Sequence, residues 1–299
     1  MGTVRPPEGG AISVELTVLG SGSSGNATLV SAGGDRVLID AGLSYRALRR
    51  RLDGVNVDPD ALRAVLITHA HVDHVRGAAM LSRKHGIRIH ATAAAREAWG
   101  KGADKVAGWE SLAAGRPVAF GVLRFVPFGV SHDADETLGF RVETPEGAIG
   151  FATDVGQITD DLVARSSDCR MLVMESNHAV ELLRVSPYAP SVRSRIGGDG
   201  GHLSNEALAA FIREHLGGQV QCIVLAHLSR INNVPALAEL ICREALTAAG
   251  RSDVRVVVAG QDRPTPTIAL EALAPPGVAR PAHRARQVAL PFGSASAQA

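Results

Sequence analysis

The stretch VLITHAHVDHVRGA, residues 65–78, sets His69, His71, Asp73 and His74 within six consecutive positions directly after an apolar run. Polar groups are costly beside a buried strand unless something pairs with them. His69 and His71 leave the strand end at i and i+2, so in extended chain they point the same way. Asp73 and His74 then fall at a strand-to-helix turn that bends back over the same spot. One histidine in such a place is ordinarily a surface or core filler. The whole H-x-H-x-D-H set is instead a donor cluster suited to zinc, and also to manganese or iron.

Four donors packed this closely can serve two adjacent cations, and further donors stand at later strand ends. His132 closes FGVSH, Asp154 closes IGFATD and His227 closes CIVLAH. A carboxylate can bridge two ions with its two oxygens, which an imidazole cannot. The expected sets are His69, His71, His132 and Asp154 on one divalent ion, and Asp73, His74, Asp154 and His227 on a second, with zinc or manganese as the metal.

The rest of the chain reads as alternating strands and helices. Strand patterns occupy 13–20, the stretch into residue 30, 35–42 and 61–68, then IRIHAT, VLRFVPF, LGFRVET and GAIGFATD. Helical spacing follows Asp73 as far as His85, and 44–54 reads as a helix with a Ser N-cap and a terminal Gly. A second β-rich half follows, with strands at 170–176, 221–227 and 254–260 and helices at 204–217 and 234–250. Two such halves imply an α/β fold of αββα type, with two mixed sheets flanked by helices.

The expected organisation is a flexible leader at 1–12, one catalytic domain at 13–274 and a disordered tail at 275–299, where Pro, Ala, Arg, Ser and Gln lose all periodicity. The start lacks an apolar signal region, and no apolar run approaches the length of a membrane span. Cys169, Cys222 and Cys242 are odd in number and have no C-x-x-C spacing, which suits reduced thiols in a cytoplasmic protein. A formal net charge of +1 leaves any polyanion to local patches.

These motifs resemble the metallo-β-lactamase-fold hydrolases from residue 13 to about 272: the opening strand and glycine loop, LIDAG, THAHVDH, then His, Asp and His in the family's order. The resemblance implies a structural role for Asp40, which steadies the metal loop by hydrogen bonds without being a ligand. GSGSSGN, ESNHAVELL, GHLSNE and AHLSRINNVP resemble the YycJ/WalJ-like branch. Members of that branch look like 5′-to-3′ DNA exonucleases with a proposed place in mismatch repair. By resemblance to ribonuclease Z-like phosphodiesterases, His202 is the expected general acid, with Ser204 and Asn205 near the phosphate. Asp73 would orient or deprotonate the attacking water.

Other expected substrate contacts come from two stretches. SGSSGNATLV offers backbone amides and hydroxyls around Ser24 and Asn26 as a phosphate nest. The segment after MES carries Asn177 and His178, then Arg184, Arg193 and Arg195, expected in irregular chain along a polyphosphate backbone. Aromatic residues make up only 4% of the sequence, so backbone contacts should outweigh base stacking. DNA is the expected partner, with RNA also open. In the tail, Gln287, Leu290 and Phe292 fit a Q-x-x-L-x-F pattern resembling the peptide by which bacterial repair proteins dock on the DNA sliding clamp. The rival reading is a small-molecule hydrolase of the same fold, acting on a cyclic phosphodiester or a thioester. A glutathione thioesterase would need a C-terminal helical substrate domain, for which 260–299 is too short and too polar.

Overall fold

The computed structural model describes residues 12–273. Almost all of the expected leader, and the whole tail with Gln287, Leu290 and Phe292, lie outside the described residues. Among these, the strands form two seven-stranded sheets. The first holds β1 (Val14–Gly20), β2 (Ala27–Ala32), β3 (Asp35–Ile39), β4 (Ala64–Leu66), β5 (Ile89–Ala91) and β6 (Trp109–Ser111) in that order. The second holds β7 (Val118–Phe120), β8 (Leu123–Gly129), β9 (Leu138–Thr144), β10 (Gly147–Ala152), β11 (Cys169–Glu175), β12 (Cys222–Ala226) and β13 (Arg255–Val258), again in sequence order. A short β14 (Ile268–Ala269) returns to pair with β1 at the edge of the first sheet.

Strand alternation divides the core into three layers of apolar contact. In β11, Met171 and Val173 face the other sheet, while Cys169, Leu172 and Met174 face helices. In β12, Cys222 and Val224 point inward and Ile223 and Leu225 outward by the same two-residue period. On the first sheet, Leu66 joins the inter-sheet core while Val65 and Ile67 pack into the outer layer. Burial on both faces explains why these strands read as continuous apolar runs rather than alternating ones.

Helices cover the outer faces. On the first sheet these include α1 (Tyr45–Asp53), α2 (Val72–Val75), α3 (Ala78–His85) and α4 (Ala93–Trp99). On the second come α5 (Asp160–Ser166), α8 (Asn205–His215) and α9 (Pro235–Ala248), while α6 (Val180–Arg184) and α7 (Pro190–Ile196) stand between β11 and α8 in the chain. The arrangement is the expected αββα sandwich. Ser44 caps α1 by accepting from Ala47 N at 3.3 Å, and Ser204 caps α8 by accepting from Ala207 N at 3.0 Å.

Three local readings are corrected. The helix expected from Asp73 to His85 is broken at Gly77, whose amide donates to Ala41 O at 2.8 Å rather than to Asp73 O one turn back, which accepts from Asn26 N instead. The strand at 61–68 is shorter, since Pro59–Ala61 forms a 3-10 turn. The segment with Arg184, Arg193 and Arg195, expected to be irregular, contains α6 and α7. Its apolar anchors Leu183 and Ile196 are buried, which supplies the packing that short helices need.

Candidate metal centre

The carboxyl ends of β3, β4, β8, β10, β11 and β12 meet at one rim of the sandwich. Such rims are where α/β sheets gather ligands, because strand-end loops from distant sequence converge there. Three site residues turn off their strands in the left-handed region: Asp40 (φ 60°), Asp154 (φ 58°) and His227 (φ 55°). Non-glycine residues are seldom held this way, and the strain of about 1–3 kcal/mol each persists where surrounding structure dictates it.

The metal loop is locked by close backbone approach. Gly42 N donates to Asn26 O at 2.8 Å, Asn26 N to Asp73 O at 2.7 Å and Ala41 N to His74 O at 2.8 Å. A Cβ on Gly42 would stand 1.5 Å from Asp73 O, so only glycine lets the loops interlock.

All seven expected donors converge. Ligand atoms of His69, His71 and His132 lie within 4.8 Å of one another, as do those of Asp73, His74 and His227, and those of His69, His74 and Asp154. Asp154 stands between the groups: Oδ2 is 3.1 Å from His74 Nε2, and Oδ1 is 3.6 Å from His227 Nε2 and 3.8 Å from His132 Nε2. Asp73 Oδ2 is 3.5 Å from His227 Nε2 and 3.7 Å from His74 Nε2.

The donor set fits divalent cations. The Nε2 atoms of His69, His132 and His227, and Asp154 Oδ2, are buried and make no hydrogen bond of acceptable geometry. An unsatisfied buried polar atom costs about 1–3 kcal/mol, so four facing one another call for a shared partner. Divalent metal held by these imidazoles and the carboxylate would meet all four.

Behind the donors lies a shell of carboxylates. Asp40 Oδ2 is 2.8 Å from His74 Nδ1, and Oδ1 accepts from Thr68 N at 2.9 Å. These bonds aim His74 Nε2 at the cavity, the role the resemblance implied for Asp40. Glu175, at the end of β11, was not singled out from sequence. Its Oε1 accepts from both His202 Nδ1 and His227 Nδ1 at 2.8 Å, and its Oε2 from Val155 N at 2.6 Å and Leu203 N at 3.2 Å. Burial would raise its pKa, but His202 and His227 override this and hold the carboxyl down at about 2. The available signal was RMLVMES, an acid closing an apolar strand as in IGFATD.

The electrostatics separate the imidazoles. Burial pushes His69 well below its ordinary pKa. Burial also opposes a charge on His74, yet Asp40 and Asp154 raise it well above that value. His202 is raised in the same way, with Glu175 overcoming burial. Its ring lies 5.2 Å from those of both His132 and His227.

The expected substrate contacts divide. Asn26 is buried: Nδ2 lies 3.0 Å from His74 Nε2, and Oδ1 accepts from Gly22 N at 2.8 Å. Asn177 is buried and donates to His227 O at 2.8 Å. Asn205 is buried between Ser176 and Asn233, and Ser204 serves as the cap of α8. His178 is buried, with Nδ1 making no hydrogen bond. Ser24 is exposed, but its amide donates to Gln261 Oε1 at 2.8 Å. With the Gly22 and Gly25 amides also engaged, the loop is less of an amide nest than its glycines suggested. Arg193 donates to Arg184 O, and Arg195 Nη1 to Asp133 Oδ2 at 2.5 Å. Asp133 Oδ1 lies 3.1 Å from His132 Nε2, linking the arginine to the donor cluster.

A cavity of about 310 Å³ opens beside His202, lined by Ser23, Asn177, Tyr188, Arg195 and Ser229. A larger one of about 600 Å³ lies at the far edge of the first sheet beside Arg96 and Trp109, away from the donors.

Comparison with known proteins agrees with this geometry. Residues 35–227 match the model of the beta-lactamase superfamily domain. The chain is 34% identical over 262 residues to the exodeoxyribonuclease WalJ of Streptococcus pneumoniae, covering 85% of this chain and 97% of that one. It is 30% identical over 242 residues to the exodeoxyribonuclease YycJ of Bacillus anthracis, covering 79% and 90% respectively. The metallo-beta-lactamase fold protein YhfI of Bacillus subtilis superposes with a TM-score of 0.66 at 18% identity, over 85% of this chain and 99% of that one. The chain therefore belongs to the beta-lactamase superfamily, as a metal-dependent hydrolase in the branch of the WalJ and YycJ exodeoxyribonucleases.

Proposed function

We propose that this protein is a 5′-to-3′ DNA exonuclease acting in DNA repair, with two divalent ions, zinc or manganese, in the rim cluster. The observation that carries the reading is the convergence of seven donors beside a non-ligand histidine backed by Glu175. The near full-length likeness to two exodeoxyribonucleases supports the substrate. One ion would rest on His69, His71, His132 and Asp154, and the other on Asp73, His74, Asp154 and His227.

Bound there, the ions would supply Lewis acidity at the phosphate and lower the pKa of the attacking water. The protein's own groups do the rest. Asp73, partly exposed beside His74 and His227, orients the water and accepts its proton. His202 delivers a proton to the departing oxygen, and Glu175 holds its Nδ1 so that Nε2 faces outward. Arg193 and Arg195 are the expected backbone contacts, and Ser24 a further one. Asn26, Asn177, His178, Ser204 and Asn205 contribute by holding the walls.

The domain limits 13–274 and a tail that docks on the sliding clamp through Gln287, Leu290 and Phe292 also belong to this reading, on sequence grounds. Among the described residues no helix is long and apolar enough to cross a membrane. The three cysteines are free and buried, which supports a cytoplasmic location.

The test is metal-reconstituted protein against 5′-labelled, 3′-labelled and circular DNA. Release from 5′ ends with circular DNA intact is expected. His202→Ala should retain metal and lose about 10²–10⁴-fold in turnover. Cleavage of circles, or a fully active His202→Ala protein, defeats the reading.

A further inference from the structure

The cavity beside His202 has a chemistry of its own. Its walls come from the loop after β1 (Ser23), the α6–α7 segment (Tyr188, Arg195), His202 and the loop after β12 (Ser229). Arg195 spends one guanidinium nitrogen on Asp133, which orients the group and leaves the others free. Ser229 Oγ accepts from Asn232 N at 3.1 Å, so its hydroxyl proton remains available. Tyr188, one of only two tyrosines in the chain, is partly exposed on the same wall. The cavity thus offers a cation, hydroxyl donors and one ring face in a volume near the lower limit for a small-ligand site.

Its position decides which part of a substrate enters. A general acid must lie within hydrogen-bond reach of the leaving oxygen, so the group beyond His202 is the leaving group. A leaving group that is the rest of a DNA strand needs an open exit. A cavity of about 310 Å³ has room for a single terminal nucleotide, which departs by its 3′ oxygen and bears its free phosphate at the 5′ end.

We propose that this cavity holds the 5′-terminal nucleotide of the strand, with its 5′-phosphate on Arg195, Ser23 and Ser229 and its base against Tyr188, so that the enzyme releases 5′-mononucleotides one at a time. The proposal rests on the exonuclease reading above and specifies its substrate end and product. Water adds to the phosphorus between the first two nucleotides, and the bond to the 3′ oxygen of the first breaks. His202 protonates that oxygen, and the remaining strand keeps a new 5′-phosphate.

Two measurements test it on the metal-loaded full chain. In the first, 5′-dAMP and deoxyadenosine, which lacks a phosphate, are titrated by calorimetry into wild type and Arg195→Ala. The wild type should favour 5′-dAMP by about 10- to 100-fold, the worth of charge-assisted bonds, and Arg195→Ala should lose that preference. In the second, kcat/KM is compared on 5′-phosphorylated, 5′-hydroxyl and 5′-terminal abasic strands. The wild type should prefer the phosphorylated, base-bearing end and yield mononucleotides. Tyr188→Ala should erase discrimination against the abasic end while keeping preference for the phosphate.

Equal binding of 5′-dAMP and deoxyadenosine, or a preference that survives Arg195→Ala, overturns the pocket. So does a ladder of longer products from a working exonuclease, which leaves the exonuclease reading standing. Arg195-dependent binding of 5′-dAMP by a protein that degrades no DNA supports the pocket and defeats the exonuclease reading instead.

Discussion

Glu175 Oε1 and His202 Nδ1 meet at 2.8 Å, and the same oxygen accepts from His227 Nδ1 at 2.8 Å. One buried carboxylate therefore orients both the proposed proton donor and an imidazole proposed to hold metal. Replacing Glu175 by Gln keeps the shape but puts NH2 in place of one carboxylate oxygen, so two of its four donating neighbours meet a donor instead of an acceptor. Glu175→Gln is expected to lose about 1–3 kcal/mol of stability from unmet donors. Metal affinity should fall about 10–100-fold, as for other partners of a ligating histidine. Thermal melts and metal content after dialysis check this. Full metal loading with wild-type turnover would remove Glu175 from the mechanism.

Asp40 bonds directly to His74 among the expected ligands. Asp40→Asn is expected to weaken metal binding by about 10–100-fold, because an amide at that position no longer enforces the tautomer that frees Nε2. Competition with a chromogenic chelator measures it. Retention of wild-type affinity would mean that Thr68 and the loop backbone suffice.

Asp154 combines the carboxylate proposed to bridge two ions with a left-handed backbone. Asp154→Asn tolerates that backbone and removes the charge, whereas Asp154→Ala loses both advantages. Both variants should lose the metals. Asp154→Ala should melt lower, by about 1 kcal/mol more, since alanine is penalised in the left-handed region and asparagine much less. Equal stabilities of the two metal-free variants would show that φ is not constrained here.

In metal-free protein, burial works against a charge on His227, but Asp154, Asp73 and Glu175 raise its pKa to about 10. At neutral pH that proton must leave before a cation can bind. Metal loading should therefore release protons, and affinity should rise with pH. Calorimetry in buffers of different ionisation enthalpy counts them. For folding, the raised His227 pKa gives stability fully present below its ordinary 6.5 and lost as pH climbs through about 10. Glu175, held at about 2, gives stability present above its ordinary 4.5 and lost as pH falls toward 2. Denaturant unfolding of metal-free protein should accordingly be most resistant between about 4.5 and 6.5. A monotonic profile across that window would count against the assigned ion pairs.

Gly42→Ala should be among the most damaging small substitutions in the protein. Its Cβ would meet Asp73 O at 1.5 Å, a backbone atom that no rotamer change can clear. A loss of about 3 kcal/mol or more is expected, with metal binding lost alongside, because the loop bearing Asp73 and His74 must shift. A stable, metal-replete Gly42→Ala protein would contradict the interlocked loops.

Local sequence determined most of the strands, because two-residue alternation and both-face burial leave direct patterns, but not β6, β7 and β14, which are only two or three residues long. It also marked the candidate donors, because H-x-H-x-D-H and single polar residues closing apolar strands would be costly to bury without a partner to share them. It could not resolve α6 and α7, whose short helices depend on burying Leu183 and Ile196 against distant chain. Nor could it separate Asn177 and Asn205, whose amides hold walls together, from groups that face outward. Glu175 acquires its part only when His202 and His227, 27 and 52 residues away, arrive at one oxygen. Hydrogen-bond partners so remote leave no periodicity behind, so tertiary structure alone decides which polar residues serve the site and which serve the fold.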